Sequence, residues 1–152
     1  MLKRYRLMTA TGLVVAMLLG ACSGGGDTKE EKSEAKPAAA GGASAVTATL
    51  TEFAIQPSPA SVSTGEVTFT VKNSGAVPHE LAIVKSDADP KKLPQKDGLA
   101  DESVNKPLGR TKEIATGASG TVTAKLEPGK YVLLCNLAGH YSAAMATSFT
   151  VK

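Results

Sequence analysis

"EVTFTVKN", residues 66 to 73, alternates Val67, Phe69 and Val71 with Glu66, Thr68 and Thr70. A period of two turns one row of side chains to a core and the other to water, which is the pattern of a half-buried antiparallel strand. The same alternation recurs on both sides. "VTATLTEF" (Val46 to Phe53) sets Val46, Ala48 and Leu50 against Thr47, Thr49 and Thr51, and "TVTAKLE" (Thr121 to Glu127) sets Val122, Ala124 and Leu126 against Thr121, Thr123 and Lys125. Further strands are expected at Glu80 to Lys85, Lys112 to Ala115, Tyr131 to Cys135 and Ala146 to Val151. Turn signals separate them: "STG" at 63 to 65, "NSGAVP" at 73 to 78, "TGASG" at 116 to 120 and "EPGK" at 127 to 130. About seven to eight short strands from Val46 to Lys152, with no long helical period, predict an all-β Greek-key β-sandwich, a closed small barrel being the second choice. Ser86 to Arg110 breaks the pattern. It is polar, lysine-rich and proline-punctuated, and is expected to form a long loop with one short helix; a functional segment and a flap without a role fit it equally.

Upstream of the alternating region the composition changes twice. Lys3, Arg4 and Arg6 precede an uncharged, apolar or small run from Leu7 to Gly20, too short to span a bilayer and headed like a secretory signal. "LGAC" (Leu19 to Cys22) closes it and resembles the lipobox of bacterial lipoproteins, which implies cleavage after Ala21 and lipidation of Cys22. Residues 1–21 are therefore expected to be a signal peptide, and acyl chains on Cys22 to hold the protein on a membrane. Residues 22–45, rich in Gly, Ala, Ser and alternating charge, cannot bury enough apolar surface to offset their ordering entropy and are expected to be a disordered tether. Its mean span would be about 25 Å. The location implied is the cell envelope, on the periplasmic or extracellular face. Ser23, in place of the aspartate typical of inner-membrane retention, points to the outer membrane where there are two.

Loss of the signal changes the charge balance. Lys plus Arg falls from 17 to 14 with Lys3, Arg4 and Arg6, level with the 14 Asp plus Glu, so the domain has no net basic character. With few aromatics and no basic stripe, nucleic acid is not an expected partner. The chain has two cysteines. If Cys22 is lipidated, Cys135 has no disulfide partner in a compartment that oxidises thiols, and either burial or a metal must account for it.

"CNLAGHYSAAM" (Cys135 to Met145) places a cysteine, a histidine and a methionine in one loop, and the other of the two histidines is His79 in "AVPHEL". These four are the only His, Cys and Met residues of the alternating region, and each falls in or beside a loop between strands. One thiolate and two imidazoles make a trigonal site, and a weak axial thioether completes the ligation expected of blue copper. Zinc would accept the first three, but a thioether is a poor ligand for it. Gly139 permits the tight backbone that turns His140 back toward Cys135. Taken singly, His79 reads as a strand-end histidine, Met145 as core filler and Cys135 as a small buried hydrophobe; together they read as a metal site.

"YVLLCNLAGHYSAAM" followed by a terminal strand resembles the copper loop of the cupredoxins, the plastocyanin and azurin superfamily, and "NSGAVPHEL" resembles the segment supplying their first histidine. The likeness covers Val46 to Lys152. It implies a Greek-key β-sandwich holding one copper ion, with His79, Cys135 and His140 as strong equatorial ligands and Met145 as the weak axial one. The four residues between Cys135 and His140 are similar to azurin or rusticyanin, and the four between His140 and Met145 to plastocyanin and rusticyanin. Where this superfamily often has Asn or Ser bonded near the cysteine sulfur, Glu80 stands here. Glu80 and Asn136 are the expected hydrogen-bonding neighbours of the ligands, able to tune orientation and potential.

The function these readings imply is a membrane-tethered, monomeric electron carrier cycling one Cu(I)/Cu(II) ion and meeting a transient redox partner. His140 is the expected electron exit, amid the apolar loop residues Leu137, Ala138, Tyr141 and Ala143. Copper storage, resistance or delivery to an oxidase would use the same ligands. An enzyme is not expected. A Cys135 nucleophile with His140 as base leaves His79 and Met145 without a task, and two histidines cannot also build the additional copper sites of copper oxidases or nitrite reductases.

Overall fold

The computed structural model describes residues 43–152. The expected signal, Cys22 and most of the tether therefore lie outside the described residues. Among the described residues eleven strands are formed: β1 (Ser44–Thr51), β2 (Ala54–Ser58), β3 (Ser61–Val62), β4 (Gly65–Asn73), β5 (Ala82–Lys85), β6 (Gln95–Lys96), β7 (Leu99–Ala100), β8 (Pro107–Arg110), β9 (Ser119–Leu126), β10 (Gly129–Leu134) and β11 (Ala146–Val151). Ser44 and Ala45, placed in the tether by composition, pair with Val67 and Thr68 and belong to β1. Among the described residues no helix is long and apolar enough to cross a membrane.

Two sheets make the sandwich, one in the order β2-β1-β4-β9 and the other in the order β3-β11-β10-β5-β8. The three alternating segments that suggested the fold all lie in the first sheet. Val46, Ala48 and Leu50 of β1, Val67, Phe69 and Val71 of β4, and Val122, Ala124 and Leu126 of β9 face one core with Ile83, Tyr131, Leu133, Phe149 and Val151 of the second sheet. Phe69 and Phe149 meet edge to face across it, centroids 5.2 Å apart.

Not every pairing is antiparallel. β1 runs parallel to β4, and β3 runs parallel to β11. The cause is a change of sheet: β2 pairs with β1 in the first sheet, the chain turns at Pro59 and Ala60, and β3 joins the second. The chain then returns as β4 in the same direction as β1.

The strand expected at Lys112 to Ala115 is reduced to one bridge between His79 and Ile114. The Thr111 hydroxyl accepts the Leu81 N–H at 3.0 Å, in the place where a backbone carbonyl would continue the ladder. The paired strand is instead β8, "PLGR", which lies at the sheet edge beside β5. Pro107 opens it, one of the few strand positions where a missing N–H is harmless.

Of residues 86–110, the last four form β8 and the others a strap rather than an open loop. They hold a single 3-10 turn at Pro90–Lys92 and the small hairpin β6-β7. Leu93 and Ala100 of the strap, with Tyr141, cover Ala82, Val84, Val132, Leu134 and Ala146 on the outer face of the second sheet. This explains why "LAIV" and "YVLL" are continuous apolar runs: β5 and β10 are buried on both faces.

Candidate metal centre

Strand periodicity delivers the ligands. The alternation that turns Tyr131 and Leu133 to the core carries Cys135 inward; Leu81 and Ile83 carry His79, and Phe149 and Val151 carry Met145. Register then sets them level. Leu134 pairs with both Ala82 and Ala146, and one step further Cys135 N–H donates to the Met145 carbonyl at 3.1 Å. Within the loop, His140 N–H donates to the Leu137 carbonyl and Met145 N–H to the His140 carbonyl. Gly139 takes φ +85°, the left-handed backbone that glycine adopts most readily, as expected of the residue that turns His140 back.

His79 Nδ1 and His140 Nδ1 stand 3.1 Å apart, Cys135 Sγ is 3.3 Å from His140 Nδ1 and 4.0 Å from His79 Nδ1. A point equidistant from these three atoms lies roughly 2 Å from each, the length of a metal–imidazole bond and slightly short of a metal–thiolate bond. The residues therefore fit one ion. Met145 is wholly buried in the same apolar cluster as Cys135, its backbone tied to both Cys135 and His140. Its thioether selects copper over zinc.

Burial is unequal among the ligands. His79, Cys135 and Met145 are 0% exposed, whereas His140 reaches the surface. Burial, reinforced by the neighbouring His79, pushes His140 below the usual imidazole range, so it is a neutral ligand near pH 7. Burial pushes the Cys135 thiol up, partly opposed by the backbone N–H groups of Glu80 and Leu137. Metal binding must displace that proton.

Glu80 meets Cys135 through its backbone, not its carboxylate: its N–H donates to Sγ at 3.4 Å. Its side chain lies on the outward row of the strand, where Oε1 accepts the Asn136 N–H at 3.3 Å and lies 3.6 Å from Arg110 Nε. Burial, the largest influence, raises its pKa against the opposing pull of Arg110. Asn136 shares this outer side, bonding both backbone groups of Ala100 and donating to Glu102 Oε1, and Glu102 in turn pairs with Arg110. Tyr141, expected on the loop's apolar surface, turns inward instead and is 2% exposed. Its hydroxyl accepts the Leu93 N–H and donates to the Pro90 carbonyl, each at 2.8 Å. Phe53 supplies the aromatic surface at His140, edge to face with centroids 5.4 Å apart, and is itself exposed.

Three supporting residues were not singled out in the sequence, although Asn73 opens the turn signal that leads to His79. Asn73 Nδ2 donates to the carbonyls of Val77 and Ile114, and Oδ1 accepts the Gly75 N–H, which pins the turn leading to His79. Thr111 holds Leu81 from the side. Glu52 Oε1 accepts the N–H groups of Ala76 and Val77 and lies 3.2 Å from His79 Nε2. Each is polar at a strand end, a pattern also shared by many solvated residues.

Residues 32–146 match the family model described as a cupredoxin-like domain, a span that contains all four ligands. The chain belongs to the cupredoxin-like family. Among solved structures this cupredoxin is similar to the dithionite-reduced auracyanin of Roseiflexus castenholzii, at 26% identity over 72% of this chain and 96% of that one, TM-score 0.52. It is also similar to auracyanin A of Chloroflexus aurantiacus, a "blue" copper protein, at 26% identity over 73% and 100% of the two chains, TM-score 0.54. Rusticyanin of Thiobacillus ferrooxidans, 16% identical over 74% and 79% of the two chains with TM-score 0.54, shares the fold. No curated protein matches the sequence. His79, Cys135, His140 and Met145 of this cupredoxin are arranged as a type 1 copper site.

Proposed function

We infer that the protein is an electron carrier of the cell envelope, held on a membrane through acyl chains on Cys22. The observation carrying the electron-carrier reading is the unequal burial of the two histidines: His79 is sealed in the core and His140 opens to the surface beside exposed Phe53; the anchor rests on the "LGAC" motif at Leu19 to Cys22. Bound copper would supply a one-electron couple at this point. The chain does the rest. The strand register fixes three donor atoms in advance, the apolar core keeps water from Cys135 and Met145, and His140, which reaches the surface, would link the bound ion to the rim. A small apolar rim suits brief encounters with a redox partner.

The reading is tested by mixing the copper-loaded protein with a reduced c-type cytochrome in a stopped-flow spectrometer. Electron exchange that outpaces copper transfer to an apo acceptor supports the carrier; transfer of the metal without electron exchange supports delivery instead. The anchor is tested separately by Cys22→Ser, which should move the protein from the membrane fraction to the soluble fraction. Retention of the variant on the membrane would contradict the anchor.

A further inference from the structure

We propose that Glu52 is a positioning residue of the copper site, fixing the His79 ring through Nε2 and giving that ligand anionic character that favours Cu(II) over Cu(I). The proposal rests on the copper reading above. It begins from one oxygen. Glu52 Oε1 lies 2.7 Å from the Ala76 nitrogen, 3.1 Å from the Val77 nitrogen and 3.2 Å from His79 Nε2. Both backbone nitrogens can only donate, and Oε1 accepts from them. With Nε2 also donating, His79 keeps its lone pair on Nδ1, the atom that faces Cys135 Sγ and His140 Nδ1.

The turn is shaped to admit this carboxylate. A Cβ on Gly75 would lie 2.3 Å from Glu52 Oε1 and 2.9 Å from Oε2, so any side chain there would expel it. Asn73 Oδ1 accepts the Gly75 N–H and keeps the turn closed around the space. The His79 side chain is 0% exposed and that of Glu52 33%, which places a carboxylate at the lip of the site with one oxygen turned inward. A carboxylate bonded to the far nitrogen of a ligating imidazole raises the ligand's basicity and fixes its ring, and removing such partners commonly lowers metal affinity about 10- to 100-fold. Negative charge close to a metal also stabilises its higher oxidation state by simple Coulomb attraction.

If Glu52 only fastened the turn, any acceptor of the same shape would serve. Glu52→Gln makes that separation, because its amide oxygen can accept the same three N–H groups without the charge. Copper-loaded wild type and E52Q are compared by visible spectrum and by redox titration. The expected result is that E52Q keeps the thiolate–copper band and shows a higher reduction potential. Glu52→Ala and Gly75→Ala, which remove or displace the carboxylate, should lower Cu(II) affinity about 10-fold or more. An E52Q variant with the band and the potential of wild type overturns the proposal while leaving the copper site intact. A wild-type protein without the band overturns the copper reading, and this inference with it.

Discussion

The side-chain amide of Asn136 holds both backbone groups of Ala100, accepting its N–H at 2.8 Å and donating to its carbonyl at 3.1 Å. A residue next to the copper-loop cysteine thus pairs with the strap as a neighbouring strand would. Asn136→Ala leaves buried backbone groups of Ala100 without a partner, and such losses cost about 1–3 kcal/mol. Urea denaturation should show that loss, and hydrogen exchange should show the amides of the strap losing protection before those of β4. Unchanged exchange in the strap would contradict its attachment through Asn136.

Tyr141 fastens the same strap at its other end, through Pro90 and Leu93. Tyr141→Phe should cost about 1–3 kcal/mol by the same reasoning. If the strap comes away as a unit, the double variant with Asn136→Ala loses less than the two singles together, by about 0.5 kcal/mol or more. Strict additivity would mean that the two ends are held independently.

Phe69→Ala removes one partner of the edge-to-face pair with Phe149 at the centre of the sandwich. A loss of about 3–5 kcal/mol is expected. By contrast Val104, 66% exposed on the strap, should change to Ser within about 0.5 kcal/mol of neutral. Equal effects at both positions would place the core elsewhere.

Glu80 gives the protein a pH dependence of defined sign. Its pKa is raised by burial, so over the range above its ordinary value of 4.5 the folded state binds more protons than the unfolded one. Stability contributed by this group is present at low pH and is lost as pH rises through the folded pKa. Glu80→Gln removes that loss. In denaturation of the metal-free proteins from about pH 4 to about pH 8, the difference in stability should move in favour of the variant as pH rises. Movement in the opposite direction would mean that Arg110 outweighs burial.

The parts legible in the sequence are those where one face of a strand decides everything. Val67, Phe69 and Val71 alternate because only one side of β4 is buried, and their period of two located the first sheet and its core. The ligands were legible because the region has so few soft donors that His79, Cys135, His140 and Met145 had no competitors. Polar residues with long-range partners were not. Glu52 reaches His79 across 27 residues, and the Asn136 side chain, expected beside the ligands, reaches Ala100 across 36 instead; nothing local in the chain marks which distant partner a carboxylate or amide will find. The parallel pairing of β1 with β4 was hidden for a similar reason, since it follows from a change of sheet at Pro59 and Ala60. Continuous apolar runs at β5 and β10 did carry the mark of a covered outer face, and the cover is the segment read as a loop.

His79, Cys135, His140 and Met145 hold one copper ion, with Cys135 as its thiolate ligand. The visible spectrum of the copper-loaded protein beside that of Cys135→Ser tests this most directly. An intense thiolate-to-copper band in the wild type, absent in the variant, is the predicted result; a colourless wild type, or a band that survives loss of the sulfur, would contradict it.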